Sequence, residues 1–379
     1  MSFYIDENLF FDFYLNNIRL PLTFNNITSM LITSNIYDLL PQIRLDINDN
    51  LGLLDKGMLT DGTTLSVAIG SDSEKALENI MEFVLIGVPE QNTKTNSNSF
   101  LIYGVLNNPK FLRCIEPFAF TGTSSNALSS IALKCGLKFD GEVTADEMTW
   151  INGTRNYGQF SQFIRDHGWS GTSSFMMSAV NLHRTLLYRD INSLRPKYII
   201  TNSSNADNEK SFRADEMAFQ NKAGIYNYSY GYKTSAVQFN LNSAEDKYFS
   251  EISYVKDNSA VLNMNSDVYN DLGIIRNDLY PINLGNVHTN YEQAFYQNQR
   301  YKALNSIKGE AIFSKSTPID ILDKVQLART DAASKSIDTE KASSWVVEAK
   351  TLAISQQRYF EKLTLSSTGL EADLFNNLI

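Results

Sequence analysis

The sequence predicts an α+β protein, predominantly β, with a small α/β unit in the middle of the chain. Strand-like segments fill the first 120 residues and return after about residue 213, whereas helical spacing dominates between them. A faint internal repeat also relates the two β-rich regions. Together these observations predict two copies of one antiparallel β-barrel with an α/β unit inserted between them.

Residues 1–120 are predicted to form the first barrel. Asn16 and Asn17 tolerate positive φ and separate two strand segments, which predicts a tight hairpin. The predicted strands are Phe10–Leu15, Ile18–Leu22, Ile27–Thr33, Gln42–Ile47, Thr64–Ile69, Leu77–Val88, Phe100–Leu106 and Phe111–Phe120.

Residues 121–212 are predicted to form the inserted α/β domain. Thr123 or Ser124 can cap a helix whose apolar residues recur at helical spacing until Gly136 stops it. A second helix is predicted over Tyr157–His167, ended by Gly168. Two strands, Ser173–Val180 and Thr185–Ile191, should then form a hairpin, followed by an exposed polar segment around residues 202–208.

Residues 213–370 are predicted to form the second barrel. Its clearest strand has tyrosines at every second position from Tyr226 to Tyr232, which is the period of a strand. An irregular, Asn-rich insertion is expected at about 261–290, and a helix at about Thr289–Asn305. The remaining predicted strands are Gly309–Ser314, Ile319–Ala328, Trp345–Ile354 and Arg358–Ser366, before a C-terminal tail at 371–379.

The internal repeat is read from three pairs of segments. The segment from Phe100 can be laid on that from Trp345, and the segment from Phe118 on that from Leu363, at one constant offset. Upstream, the segments starting at Thr64 and Lys324 occupy equivalent places. The pattern suggests a duplicated β-unit.

The composition argues against catalysis, metal binding and binding to nucleic acids or membranes. The 379 residues carry 33 basic and 42 acidic side chains, for a net charge of −9, and no Lys/Arg run offers a nucleic-acid or membrane patch. Three histidines and two cysteines supply little material for acid–base catalysis, metal binding or a disulfide framework. We therefore predict no catalytic residues, no cofactor and no metal site.

The individual candidates for catalysis support this prediction. His167 follows Asp166, but it continues the apolar stripe of its helix, so a structural histidine near a helix C-terminus is favoured. Ser124 and Ser170 lie in near misses of the Gly-x-Ser-x-Gly nucleophile elbow. The acidic pairs Asp146-Glu147 and Asp215-Glu216 are adjacent, so their side chains would face opposite ways in a strand.

The aromatic residues are candidates for an interface instead. The alternating tyrosines could stack on saccharides or bases, although one face of a barrel strand, buried in the core or between subunits, is favoured. The helix at 289–305 could pack against another subunit as well as against its own sheet. The candidate interface residues are Tyr226, Tyr228, Tyr230, Tyr232, Phe295 and Tyr301.

The order of segments resembles a known family. The relevant segments are Phe118-Ala-Phe-Thr-Gly-Thr-Ser-Ser-Asn-Ala-Leu-Ser-Ser-Ile-Ala, Met148-Thr-Trp-Ile-Asn-Gly-Thr, Gln159-Phe-Ser-Gln-Phe-Ile, Leu186-Leu-Tyr-Arg-Asp, Leu322-Asp-Lys-Val and Trp345-Val-Val-Glu-Ala. In this order they resemble the baseplate hub proteins of contractile-tailed bacteriophages, relatives of the late-control D hub and of the base of the type VI secretion spike.

The resemblance implies a specific architecture. Such hubs carry two tail-tube-like barrels per chain, and a homotrimer forms a ring of six barrels between the six-fold tail tube and the three-fold central spike. The implied partners are a second and third copy of the chain, the spike, the tube protein and the baseplate wedge proteins, with DNA passing transiently through the channel. We hypothesise that carboxylates on barrel strands line that channel and repel phosphates.

The implied location is the virion tail baseplate, after assembly in the host cytoplasm. The first residues lack a secretion-signal pattern and the longest apolar run, Phe83–Val88, is short, so no membrane anchor is expected. Two other functions remain open: a tail-associated host-recognition protein that binds saccharide through the tyrosine stripe, and a peptidoglycan hydrolase. The hydrolase would need His167 and a carboxylate to converge in a cleft.

Overall fold

The structure is a computed structural model, and for clarity its elements are grouped into an N-terminal, a middle and a C-terminal unit. It describes residues 9–23, 25–49, 52–53, 56–87, 90–91, 99–171, 174–202, 210–221, 234–239, 246–250, 276–281, 297, 307–328, 344–355 and 358–367. The domain bounds predicted from the sequence remain a prediction, whereas the predicted strands and helices can be compared element by element.

The N-terminal unit is almost entirely β. Its elements are β1 (Phe10–Leu15), β2 (Ile18–Leu20), β3 (Ile27–Asn35), β4 (Gln42–Asn48), β5 (Thr64–Gly70), α1 (Ser73–Glu78), β6 (Ile80–Leu85), β7 (Glu90–Gln91) and β8 (Ser99–Leu106). Asn16 and Asn17 have φ values of 47° and 66°, which confirms the predicted tight hairpin. Buried and more exposed residues alternate along β1 and β4, so one face of the sheet covers a core.

Two predictions in this region were wrong. The segment Leu77–Val88 is not one strand, because α1 occupies its first residues and β6 begins only at Ile80. The segment Phe111–Phe120 is also not one strand: a helix covers Pro109–Arg113 and a strand follows at Phe118–Gly122. Asn108 starts that helix by accepting a hydrogen bond from the Phe111 amide, with proline at the first helical position.

The middle unit contains most of the helix. Its elements are α2 (Pro109–Arg113), β9 (Phe118–Gly122), α3 (Ser124–Lys134), β10 (Lys138–Gly141), β11 (Met148–Asn152), α4 (Tyr157–His167), β12 (Met176–Val180) and β13 (Thr185–Asp190). Thr123 caps α3 and Gly136 follows it with φ +66°, as predicted. The predicted α4 is confirmed in full, with a capping box between Asn156 and Gln159.

The middle unit has two small sheets of its own. β10, β13 and β12 form one, in which β12 and β13 are the predicted antiparallel hairpin. β9 and β11 form a two-stranded ribbon. The core of this unit is continuous with that of the N-terminal unit, since Trp150, Phe160 and Ile131 belong to the same apolar cluster as Phe13 and Phe83.

The C-terminal unit is again β. Its elements are β14 (Tyr198–Thr201), β15 (Ser211–Arg213), β16 (Glu216–Asn221), β17 (Thr234–Phe239), β18 (Asp246–Ser250), β19 (Arg276–Pro281), β20 (Ile307–Phe313), β21 (Lys324–Ala328), β22 (Ser344–Ser355) and β23 (Arg358–Ser367). The region 261–290 is not irregular throughout, because β19 pairs in parallel with β17. The predicted strand Ile319–Ala328 begins only at Lys324.

The two β-units share one strand order. In the large sheet the N-terminal unit runs β3-β4-β8-β6-β5, and the C-terminal unit runs β16-β20-β23-β22-β21. Both runs have the same order along the chain, and every neighbouring pair in both is antiparallel. The next strands differ, since β1 is antiparallel to β5 whereas β14 is parallel to β21. The described strands therefore contain a five-strand duplication.

This duplication corrects the alignment of the repeat. The predicted equivalence of Thr64 with Lys324 agrees with the strand order, because β5 corresponds to β21. The other two equivalences were displaced by one strand: β8 corresponds to β23 rather than to β22, and β9 pairs with β11 outside the large sheet.

The strand pair β4–β8 of one unit corresponds to the pair β20–β23 of the other, and each pair contains one glycine facing a large side chain. In the N-terminal unit Gly104 on β8 faces Ile43 on β4, and a Cβ added to Gly104 would lie 2.8 Å from Ile43 Cγ2. In the C-terminal unit Gly309 on β20 faces Leu365 on β23, and its added Cβ would lie 3.5 Å from Leu365 Cβ. Each pair thus combines one glycine with one bulky side chain, but in inverted order.

Candidate assembly interface

Strand β22 belongs to both β-units. Its first residues, Ser344–Val346, pair with β21, and Ala349–Ser355 pair with β3 of the N-terminal unit. The change of partner coincides with a register shift against β23 between Val347 and Ala349. Such a bulge bends and twists a strand. One continuous hydrogen-bonded strand therefore joins the two units.

The residue inside the bulge carries a buried charge. The Glu348 side chain is 2% exposed, and its carboxylate contacts Lys308 Nζ on β20. Tyr37, in the turn after β3, donates its hydroxyl to Glu348 Oε1 at 2.7 Å. Lys308 Nζ also donates to Ser366 Oγ at 2.7 Å. Tyr37 comes from the N-terminal unit and the other three from the C-terminal unit, so the cluster spans the junction.

A second buried ion pair lies beside the first. Lys350 Nζ is 3.3 Å from Glu361 Oε2, with the two side chains 6% and 0% exposed. Lys350 also donates to the carbonyl oxygens of Thr317 and Ile319, at 2.9 and 2.7 Å. Burial raises the pKa of Glu361, while Lys350 and the hydrogen bonds from Thr317 act against that rise. A buried ion pair adds little net stability compared with apolar side chains, but removing one of its partners is strongly destabilising.

The seam between β3 and β22 is also bonded through side chains. The Thr33 and Thr351 hydroxyl oxygens are 3.0 Å apart on directly paired residues. Ser34 donates its hydroxyl to the Val180 carbonyl oxygen at 2.8 Å, which ties the seam to the middle unit. An apolar cluster joins all three units at this point, formed by Ile36, Phe175, Met177, Ala179, Leu187, Ile191, Ile321, Leu322 and Val346.

The edge of β12 is covered by the side chain of Gln297, which no local sequence pattern marks. Gln297 is 4% exposed, and its Oε1 accepts a hydrogen bond from the Met176 amide at 3.0 Å. Its Nε2 donates to the Met176 carbonyl oxygen. The amide group thus bonds as the backbone of a neighbouring strand would. Sequence reasoning assigned this residue only to the helix predicted at 289–305.

The candidate interface residues predicted from the sequence lie outside the described residues. This holds for the tyrosine stripe Tyr226–Tyr232 and for Phe295 and Tyr301. The structure instead brings together Glu348, Lys308 and the strand edges around them.

The residues considered for catalysis have structural partners. His167 Nδ1 is 2.8 Å from the Phe163 carbonyl oxygen, and the two rings lie 4.2 Å apart with their planes tilted by 37°; burial lowers the pKa of His167. Asp166, its neighbour, bonds to Arg165. Asp146 is buried and accepts hydrogen bonds from the amides of Ser124 and Trp169. These contacts use the carboxylates of Asp166 and Asp146 to fix the middle unit.

A polar cleft of about 700 Å³ lies where the three units meet. It includes His183 in the β12–β13 turn, whose pKa is lowered by burial. Several ionised groups in it are paired, including Lys197 with Asp323 at 3.6 Å and Arg189 with Asp140. Within the described residues, no group of three or more His, Cys, Asp or Glu side chains could hold a metal ion. No helix in the described part of the chain has the length and apolarity required to cross a bilayer.

The fold is that of known phage tail proteins. A tail protein from Neisseria meningitidis superposes with a TM-score of 0.58 at 9% identity, covering 96% of this chain and 98% of the other. The 43 kDa tail protein of prophage MuSo2 from Shewanella oneidensis gives a TM-score of 0.58 at 7% identity, with 95% and 99% covered. The sequence itself matches no protein-family model and no curated protein. At these identities the likeness establishes the fold.

Proposed function

We propose that this protein is the structural hub of a contractile phage tail baseplate. Three copies would form a ring that joins the six-fold tail tube to the three-fold central spike. The observation that carries this proposal is the five-strand duplication inside a chain with the fold of tail proteins. Two similar units per chain allow three copies to present six similar units, which reconciles the two symmetries.

The junction between the units supports a role under mechanical load. Residues Ala349–Ser355 of β22 pair with β3 of the N-terminal unit, and two buried ion pairs lie at the bulge where this pairing begins. An obligate ring that must survive sheath contraction requires units that do not move apart. In this proposal the barrels are completed by the strands of each unit, and the middle unit lies outside the ring.

The proposed role is structural and does not involve catalysis. The contacts of His167 and Asp166 supply no nucleophile–base arrangement, because each side chain has another partner. DNA would pass through the channel of the ring, and the wall is proposed to carry carboxylates that repel phosphates. A neutral or basic wall in the assembled ring would contradict that part of the proposal.

The test is the mass of the purified protein, alone and with a candidate spike protein. A hub predicts a particle of about 128 kDa, three times the 42.8 kDa chain, visible as a ring by electron microscopy. A stable monomer both alone and with the spike would contradict the hub. Clearing of a peptidoglycan substrate in a zymogram would instead favour a hydrolase.

A further inference from the structure

Among the described residues, four strands of the large sheet have a single partner: β2, β15, β16 and β7. β16 pairs only with β20, and β7 pairs only with β8, so the outer edge of each strand is open in the described part of the chain. Unpaired strand edges bind other strands readily and are usually covered in a functional assembly. These two edges lie in different β-units.

The duplication shows what each open edge corresponds to. β16 is the counterpart of β3, because each is the first strand of its five-strand run. The β6–β7 segment is the counterpart of β22, because β6–β7 pairs with β8, the last strand of its run along the chain, as β22 pairs with β23. Inside the chain, β22 pairs with β3. These two edges therefore correspond to the two halves of a second junction of the same kind, and they lie at opposite ends of the row β16-β20-β23-β22-β3-β4-β8-β7.

The paired residues of the second junction follow from the first. If Thr64 is equivalent to Lys324, the residues that follow them, Leu65 and Val325, are also equivalent. Leu65 pairs with Phe83 and Val325 pairs with Trp345, so Phe83 is equivalent to Trp345. Continuing through the ladders makes Met30 equivalent to Met217 and Ile32 equivalent to Phe219, and both positions are apolar in both units.

We propose that β16 of one copy pairs antiparallel with β7 of the next copy, in the register of the β3–β22 junction. This inference rests on the proposed ring and names the edges that close it. Thr33 faces Thr351 within the chain. The equivalent pair between copies is Gln220 facing Glu90, followed by Phe219 facing Gln91.

The two kinds of junction differ in their charges. The positions equivalent to Lys308 and Glu361 are Gln42 and Phe100, so the β7 side of the second junction has neither of these buried ions. Ion pairs fix one junction of each chain, whereas main-chain pairing between strands forms the other. Fixed and assembled junctions therefore alternate around the ring, and the ring should dissociate into intact chains.

An exposed apolar side chain marks the proposed edge. Ile86 follows β6, its amide bonds to the Tyr103 carbonyl oxygen, and it is 45% exposed. Its counterpart in the other unit is Ala349, which lies in the seam against β3. Covering Ile86 between copies would remove this exposed surface from water.

Cysteine cross-linking tests the register. Chains carrying either Glu90→Cys or Gln220→Cys are mixed under mild oxidation, so a disulfide between the two positions can form only between different copies. Covalent dimers are expected in the mixture and not in either chain alone, and the doubly substituted chain should close into covalent trimers. The matched control replaces Gln220→Cys by Ala218→Cys, two residues out of register, and should give about ten-fold less product.

Two further controls keep the readout specific. Thr33→Cys with Thr351→Cys should cross-link within one chain, since those residues face each other at the first junction. The unsubstituted chain reports any contribution from Cys114 and Cys135, which are free thiols. Ile86→Asp should reduce the trimer fraction, whereas Val143→Asp, at a residue 90% exposed in the middle unit, should not.

The outcomes separate this proposal from the hub itself. A trimer by mass in which the in-register pair cross-links no better than the shifted pair overturns the strand pairing and leaves the hub standing. A chain that stays monomeric alone and with the spike overturns both. Efficient cross-linking of Glu90→Cys with Gln220→Cys, limited to trimers, supports the alternating ring.

Discussion

Breaking the ion pair in the β22 bulge should destabilise the protein by far more than a surface ion pair would. In Glu348→Gln the carboxylate is lost and Lys308, whose side chain is 13% exposed, keeps a positive charge with little access to water. Removing one partner of a buried pair costs about 3–5 kcal/mol. The partial exposure of Lys308 and its hydrogen bond to Ser366 place the expected loss near the lower limit, about 3 kcal/mol.

The matched control lies on the same strand. Glu310 on β20 pairs with Lys362 at 2.7 Å, but both side chains are well exposed, at 43% and 38%. Such pairs contribute about 0–1 kcal/mol, so Glu310→Gln should be nearly neutral. The comparison of the two Glu→Gln changes therefore isolates burial from the loss of a charge.

A double-mutant cycle by thermal and denaturant unfolding is the assay. With an unfolding entropy of about 2.1 cal/mol/K per residue over the 379 residues, a loss of about 3 kcal/mol lowers Tm by about 4 °C for cooperative unfolding. Lys308→Met alone should also destabilise, because Glu348 is then buried without its cation. The double variant should recover about 2 kcal/mol or more of the summed losses. Additive losses, or a Glu348→Gln effect no larger than that of Glu310→Gln, would refute the reasoning.

The remaining predictions concern the sheet and the middle unit. Gly104→Ala should lower the free energy of unfolding by about 1–3 kcal/mol, because the new methyl group would lie 2.8 Å from Ile43 Cγ2. Gly309→Ala should lower it by less than about 1 kcal/mol, because the nearest neighbour of its methyl group would lie at 3.3 Å. Equal losses of the two variants in denaturant unfolding would contradict this. Since burial lowers the pKa of His167, its stabilising contribution is present above the unfolded pKa of about 6.5 and is lost as pH falls through the folded value. His167→Gln should therefore lose less stability than the unsubstituted protein between pH 7.5 and 5, and an unchanged pH dependence would show that His167 is not desolvated.

Local sequence signals predicted the elements whose ends require a particular type of turn or capping residue. The Asn16-Asn17 hairpin, the Thr123 cap with Gly136 after α3, and the bounds of α4 all follow from turn and capping chemistry. In these places a backbone requirement limits the residue choice to a few types, so the sequence carries the information.

Other elements could not be predicted because their short segments suit more than one structure. α1 has only six residues, and α2 has five, so neither shows a helical repeat that distinguishes it from a strand. The strand order depends on pairing partners, since the equivalent residues Phe83 and Trp345 share little neighbouring sequence beyond the Val that follows each of them. The resemblance to tail hubs came from segment order, and the tail-protein fold agrees with it.

The candidate interface itself was beyond local reasoning. Glu348 lies 40 residues from Lys308 and 311 from Tyr37, and nothing near any of them indicates a buried charge. Its role depends on the bulge at which β22 changes partner, which is a property of the sheet. Gln297 is similar, because a single glutamine in a polar segment gives no sign that it will cover a strand edge.

The inverted glycines bear on how a chain with two similar sheets folds correctly. If β8 paired by mistake with β20, Gly104 would face Gly309 and leave a void; if β4 paired with β23, Ile43 would meet Leu365 in a space that fits only one of them. Both exchanged pairings are thus penalised, while each correct pairing fills its space. The inversion therefore disfavours the exchange of partners between duplicated strands, within one chain or between nascent copies.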